Sequence, residues 1–173
     1  MKRPPAKSIG IGVVVVLALI QVIPASRTNP PVASSRSLAA HMDLPPEVQS
    51  VFKRACYDCH SSETVWPWYS HVAPVSWYVA HDVNVGRSHV NFQDWESQEN
   101  QKEALEHLGL TCKLMQQGRM PPEDYLFIHK NASVSQADIN TVCAWTQKVA
   151  PPEEEGGPDH HDHEHHEAPN DKD

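Results

Sequence analysis

The sequence predicts an all-α fold, with one helical domain between an apolar N-terminal segment and an acidic, histidine-rich C-terminal tail. Three observations support this class. Apolar residues recur at helical spacing in several stretches, capping residues and prolines bound those stretches, and no stretch alternates apolar and polar residues as a strand would. A chain of 173 residues allows one compact domain with appendages.

The negative charge of the chain is concentrated in its C-terminal tail. Residues 151–173 hold nine acidic residues against Lys172, which gives −8, the formal charge of the whole chain. Residues 1–150 hold thirteen basic and thirteen acidic residues and sum to zero. Because the folded part has no basic excess, the composition indicates no nucleic acid partner.

Residues 1–26 are expected to form a signal or membrane anchor. Three basic residues precede the apolar run Ile9 to Pro24, which only Gln21 interrupts. A cut after Ala25 would place Ile23 at a position that needs a small residue, so an uncleaved anchor is favoured. The domain is therefore expected on the periplasmic side of the inner membrane, single-pass anchored, or soluble in the periplasm after cleavage.

A spacer and a first helix follow the anchor. Residues 27–43 are rich in proline and serine without periodicity, which predicts a flexible spacer. The folded domain is expected over residues 44–150. Pro45 and Pro46 suit the opening of a helix. Four apolar residues then follow at helical spacing, immediately before a cysteine: Val48, Val51, Phe52 and Ala55.

Cys56, Cys59 and His60 form a C-x-x-C-H box. Two thiols three residues apart can each add across a vinyl group of one haem, and the adjoining histidine is then held against the iron. The box therefore predicts one covalent haem c, bound through both cysteines, with His60 as an axial iron ligand. A thioredoxin-like pair would not require His60, and a zinc site would require a second ligand pair that Cys112 and Cys143 do not supply.

The stretch after the box is aromatic, and its side chains either wall a porphyrin or form ordinary core. Pro74 is predicted to open a short helix through Ala80, and Gly86 and Arg87 to end or bend whatever follows. Arg87 is either a partner for a haem propionate or a surface arginine. The aromatic residues are Trp66, Trp68, Tyr69, Trp77, Tyr78, Phe92 and Trp95.

A third helix is predicted from about Ser97 to Gln117, with Gly118 as its stop. Met115 lies on its apolar face, where methionine is ordinarily core filler. Beyond Gly118, Met120 precedes two prolines in a stretch that cannot be helical.

Met120 is the preferred second axial ligand, because its thioether extends from a stiffened loop and is free to reach the iron. The alternatives are a histidine, with His81 or His129 first, and an open site.

A last helix is predicted from about Gln136 to Val149, with a capping box formed by Ser135 and Asp138. Cys112 and Cys143 fall on the predicted buried sides of the last two long helices. They either form a disulfide, which would stabilise the domain by roughly 3 kcal/mol, or remain buried thiols.

The tail, residues 151–173, contains no apolar run and is predicted to be disordered. Its histidines are interleaved with acidic residues, so it either chelates a divalent metal such as zinc, nickel or copper, or simply solvates the chain. A third option is that the acidic tail docks on a basic redox partner. The candidate ligands are His160, His161, His163, His165 and His166.

Several stretches resemble the small exported haem-binding domain proteins, which are membrane-tethered monohaem relatives of cytochrome c. The resemblance implies a cytochrome c-like helical fold with His60 and Met120 as iron ligands. The matching stretches are Gln21 to Pro31, Cys56 to His60, Thr64 to Tyr69, Ala73 to Trp77, Gly86 to Trp95, Gly118 to Pro122, Tyr125 to His129, and Trp145.

The expected function is that of a monohaem c-type cytochrome that passes single electrons between periplasmic or membrane redox partners. His/Met ligation fills both axial positions and leaves no place for a substrate, which favours an electron carrier over an enzyme. The alternative is a haem-based sensor or peroxidase-like enzyme with a labile sixth ligand.

Overall fold

The computed structural model describes residues 5–98 and 101–151. Within these ranges the chain forms α-helices and short 3-10 segments but no strand, which confirms the all-α prediction. The helices are α1 (Ala6–Leu19), α2 (Leu38–His41), α3 (Pro46–Ala55), α4 (Tyr57–His60), α5 (Val75–His89), α6 (Gln101–Gln116), α7 (Glu123–Ile128) and α8 (Gln136–Val149).

Helix α1 forms within the apolar run at the N-terminus and is followed by a 3-10 turn, Ile20–Val22. None of its residues is buried. In residues 5–98 and 101–151, no helix combines the length and the apolar character that crossing a membrane requires.

The core lies between helices α3, α6 and α8. Phe52 of α3 stacks on Phe92 with ring centroids 4.6 Å apart, and it meets Trp145 of α8 edge-on at 5.8 Å. Leu108 of α6 and Val142 of α8 are fully buried in the same cluster. Aromatic pairs in such offset and edge arrangements add to the stabilisation from apolar burial. Phe92 is therefore part of the protein core.

Helices α6 and α8 are joined by a disulfide between Cys112 and Cys143, whose Cα atoms are 4.7 Å apart. The disulfide alternative from the sequence is thus the observed one. Helix α6 continues through Gly109, and the missing side chain at this position lets α6 pass very close to the end of α8. A Cβ atom at Gly109 would lie only 2.7 Å from the carbonyl oxygen of Ala150.

The ends of α6 and α8 follow the local signals in the sequence. Gly118 adopts a positive φ of 65°, and the N–H groups of Gly118 and Arg119 donate to the carbonyls of Met115 and Leu114 at 3.0 and 2.9 Å. This is a Schellman ending, in which glycine permits the left-handed conformation. At the start of α8, Ser135 and Asp138 form the predicted capping box.

The prediction of a short helix ending near Ala80 is wrong, because α5 continues from Val75 through His89. Gly86 and Arg87, which were predicted to end or bend whatever follows Ala80, lie inside this helix, and glycine in a helix interior is unfavourable by about 1 kcal/mol relative to alanine. A tertiary contact offsets this cost, because Gly86 lets α5 approach the backbone of Cys59 closely.

The segment predicted as a flexible spacer, residues 27–43, packs on the domain. Leu38 is 1% exposed and belongs to the core cluster, and its N–H donates to the carbonyl of Phe92 at 2.8 Å. Arg36 forms an ion pair with Asp94 at 2.7 Å. The segment is held by these long-range contacts, which local periodicity does not reveal.

Candidate haem-binding site

The C-x-x-C-H box occupies one helical turn directly after α3. Helix α3 buries its apolar stripe and ends at Ala55, and Cys56 then adopts φ −125° and ψ −31° before α4 begins. The N–H groups of Cys59 and His60 both donate to the carbonyl of Cys56, at 3.1 and 2.9 Å. Residues three apart on a helix lie on the same side, so both thiols project from one face of the turn.

Cys56 and Cys59 are unpaired, half-buried thiols. Burial raises the pKa of each to about 12, and the negative charge of Asp58 also raises that of Cys59. Both thiols are therefore neutral at physiological pH. A catalytic redox pair needs a thiol whose pKa is depressed. Neutral thiols therefore disfavour a thioredoxin-like redox pair, and they are compatible with the formation of thioethers at two vinyl groups.

The imidazole of His60 is oriented by a backbone carbonyl. Its Nδ1 donates to the Val90 oxygen at 3.1 Å, and burial lowers the pKa of the ring. A neutral imidazole whose Nδ1 carries the proton leaves the lone pair of Nε2 for a metal. Phe92 lies beside it, with ring centroids 5.9 Å apart. The residues of the box thus fit the iron of a haem.

Gly86 brings helix α5 into direct contact with the box. A Cβ atom at this position would lie 2.6 Å from the carbonyl oxygen of Cys59 and 3.0 Å from its carbonyl carbon. Only glycine allows such an approach. The Gly86 carbonyl also faces the His60 ring, and Val90 is one turn further along the chain. The end of α5 therefore positions both the box backbone and its histidine.

Arg87 is half-buried, and its guanidinium is bonded to acceptors of the protein itself. Its Nε donates to the Ser61 carbonyl at 2.7 Å, one terminal nitrogen donates to the Thr28 carbonyl, and the other donates to the side chains of Asn29 and Thr64. These bonds connect α5, the turn after the box and the N-terminal segment. The guanidinium is occupied by protein acceptors, so pairing with a haem propionate has no support in the contacts.

Met120 lies in the loop between α6 and α7. Its N–H donates to the Leu114 carbonyl at 3.3 Å, and its side chain is half-buried. The loop is linked to the box through α7, because the Tyr125 hydroxyl donates to the Asp58 carboxylate at 2.7 Å. None of these contacts involves the thioether, so ligation by Met120 stays a prediction. Met115, by contrast, is buried in the core, as predicted.

The histidine competitors are placed differently. His129 stacks on Tyr125 with ring centroids 4.3 Å apart, and its Nε2 shares a hydrogen bond of 2.5 Å with the Tyr69 hydroxyl. His81 is exposed on α5. His89 and His107 contact each other at a centroid distance of 4.7 Å. Within residues 5–98 and 101–151, no three His, Cys, Asp or Glu side chains are close enough to hold a metal ion.

The predicted tail ligands lie outside the described residues. This applies to the whole histidine set: His160, His161, His163, His165 and His166.

Comparison with known proteins gives one match. The family model described as "Haem-binding domain" matches residues 15–148, which is most of the chain. The chain belongs to the haem-binding domain family. In the other two comparisons, no curated protein and no solved structure matches it. Family membership supports a haem protein, as the box predicts, and the match includes residues that precede the predicted domain start.

The haem-binding domain also contains contacts around the box that the sequence does not predict. These are the carbonyls of Gly86 and Val90 against His60, and the bonds of Arg87 to Thr28 and Asn29. A glycine inside an otherwise helical pattern was the available signal, since it often marks a close approach of backbone rather than a helix end.

Proposed function

We propose that this haem-binding domain protein is a monohaem c-type cytochrome that transfers single electrons between redox partners. The proposal is carried by the arrangement of His60 beside two neutral thiols on one turn. The Nδ1 atom of His60 is committed to the Val90 carbonyl, which leaves Nε2 free. Cys56 and Cys59 would hold haem c covalently, and His60 would be one axial ligand.

A bound haem supplies a one-electron iron couple. The protein's own residues supply the rest. The Val90 carbonyl fixes the orientation of His60 and increases its basicity. The packing of α5 on α4 through Gly86 keeps the box in a single position relative to that carbonyl.

Met120 is proposed as the second axial ligand. The Schellman ending of α6 at Gly118 and the two prolines after Met120 restrict the backbone on both sides of it. The bond between Tyr125 and Asp58 connects the following helix to the box. A thioether ligand raises the reduction potential and occupies the position at which a substrate would bind, which makes electron transfer the proposed activity.

The proposed location is the periplasmic side of the inner membrane. Support comes from the basic residues before the apolar run and from Ile23, which lies where cleavage after Ala25 would require a small residue. Helix α1 is apolar and has no buried residue. In this proposal α1 associates with the bilayer, and redox proteins are the partners.

Two conservative variants test the ligation. Met120→Leu removes the thioether at nearly constant volume, and Met115→Leu makes the same change in the core. We expect the unsubstituted reduced protein not to bind carbon monoxide, and Met120→Leu to bind it with a lower midpoint potential. Met115→Leu should keep the original spectrum and potential.

Covalent attachment is measured separately, as haem that remains on the chain after denaturation. The double variant Cys56→Ala/Cys59→Ala is expected to lose this haem, because each thiol would hold one vinyl carbon and either single variant would keep one thioether bond. Binding of carbon monoxide to the unsubstituted protein would instead favour the sensor or peroxidase-like alternative.

A further inference from the structure

Gln21 joins the end of the apolar N-terminal run to the haem-binding domain. Its amide oxygen accepts from the N–H of Ala73 at 2.9 Å, and its amide nitrogen donates to the Ala73 carbonyl at 3.0 Å. The same nitrogen donates to the Leu17 carbonyl at 2.9 Å. The paired bonds to one residue fix both the position and the direction of the chain as it leaves α1.

Further bonds hold the residues that follow. The indole N–H of Trp77 donates to the Ile23 carbonyl at 3.0 Å, and Arg27 donates to the Ser70 carbonyl at 3.1 Å. The segment from Gln21 to Arg27 is therefore attached to the start of α5 and to the 3-10 turn before it. Helix α1 meets the domain without a free linker.

Exposed aliphatic side chains surround this junction. Val22 and Ile23 are 78% and 56% exposed, and Val72 and Val75, on either side of Ala73, are 45% and 43% exposed. We call these four residues the tether face. The exposed apolar surface of α1 precedes this face directly in the chain. Isolated exposed aliphatic residues need no explanation, but a set that continues a helix that is apolar from Ile9 to Leu19 indicates an apolar surrounding.

We propose that the tether face lies in the interfacial layer of a lipid bilayer, so that the domain rests on the membrane. This deepens the proposed function and rests on its membrane association through α1. Gln21 interrupts the apolar run near its end, and its bonds to Ala73 hold Val72 close to Val22. Interfacial apolar faces enter about 5–10 Å into the headgroup and acyl boundary.

The hydrogen bonds of Gln21 suit this position. An unpaired amide is costly in an apolar environment, and both polar atoms of this amide have partners. In this arrangement the domain has one orientation relative to the bilayer, and the box keeps a constant position with respect to membrane redox partners.

The test compares two cysteine variants of the full chain, Val72→Cys and Leu110→Cys. Both native residues are 45% exposed, but Leu110 lies on α6, which packs against α8. The protein is reconstituted in vesicles of phosphatidylethanolamine and phosphatidylglycerol, and labelling by a water-soluble polyethylene glycol maleimide is followed. The unsubstituted chain reports any labelling of its own cysteines, and the haem spectrum confirms folding.

We expect the cysteine at position 72 to be labelled severalfold more slowly than that at position 110. Adding Gln21→Ala, or Trp77→Phe as a milder change, should reduce the difference. Equal labelling rates with vesicle-bound protein would overturn the docking proposal while leaving the anchor intact. Protein that does not float with the vesicles would instead contradict the anchor. If the protection of position 72 from labelling disappears when the ratio of lipid to protein is raised, a second copy of the chain covers the tether face, and the proposal is also overturned.

Discussion

Replacing Gly86 by alanine would test whether the contact of α5 with the box positions His60. The added Cβ would lie 2.6 Å from the Cys59 oxygen, and backbone atoms cannot rotate away as a side chain can. An ordinary contact begins at 3.4 Å, so the two segments must separate by about 0.8 Å (3.4 − 2.6). Transmitted along the 3.1 Å bond from His60 to Val90, a displacement of this size would lengthen it to about 3.9 Å, beyond hydrogen-bonding distance.

Two opposing effects set the change in stability. Overpacking of this kind costs about 1–3 kcal/mol, whereas alanine is favoured over glycine in a helix by about 1 kcal/mol. We expect the free energy of unfolding to fall by up to about 2 kcal/mol. Loss of the Nδ1 hydrogen bond makes the imidazole a weaker donor to iron, so the midpoint potential should rise.

Gly109→Ala is the matched control. It is also a glycine in a helix, and its added Cβ would lie 2.7 Å from the carbonyl oxygen of Ala150, far from the box in the sequence and on another helix. We expect a comparable loss of stability with an unchanged potential. Urea unfolding gives the stability of both variants, and spectroelectrochemical titration gives the potential. If the two variants shift the potential equally, or neither shifts it, the positioning role assigned to Gly86 is wrong.

Three further predictions concern the surrounding structure. Arg87→Lys should lower the free energy of unfolding by about 1.5–3 kcal/mol, because lysine cannot reach all the acceptors of the guanidinium. Faster proteolysis within residues 27–36 should accompany it, and an unchanged cleavage rate would contradict the role of Arg87 in holding the N-terminal segment. Replacing Cys112 and Cys143 together by alanine should cost about 3–4 kcal/mol, measured by urea unfolding, with the haem spectrum unaltered. Bonds from Ser135 and the charge of Arg54 hold the pKa of Asp138 below its usual value, so its stabilisation is present above about pH 4 and is lost as pH falls through the lower folded-state pKa. Asp138→Asn should flatten this part of the curve of melting temperature against pH; parallel curves would refute the assignment.

The features that the sequence predicted well depend on neighbouring residues. The apolar stripe of α3, the capping box of α8 and the Gly118 ending of α6 each involve residues within about one or two helical turns. The box is local as well, because two thiols and a histidine within one turn predict haem attachment by their spacing alone. These elements could therefore be identified without knowledge of the fold.

Residues distant in sequence decided what local patterns could not. By local pattern, Gly86 predicts the end of a helix. In the structure it lies inside α5, where the backbone of Cys59 leaves no room for a Cβ atom. By composition, residues 27–43 predict a linker. In the structure Leu38 lies in the core, and Arg87 bonds to Thr28, which is 59 positions away in the chain. The Val90 carbonyl, which directs His60, carries no side-chain signal at all. The sequence by itself predicted a haem at Cys56, Cys59 and His60, and the family match supports a haem protein. Only the tertiary structure decided what orients that site, because backbone contacts between distant segments depend on packing and leave no periodic trace in the chain.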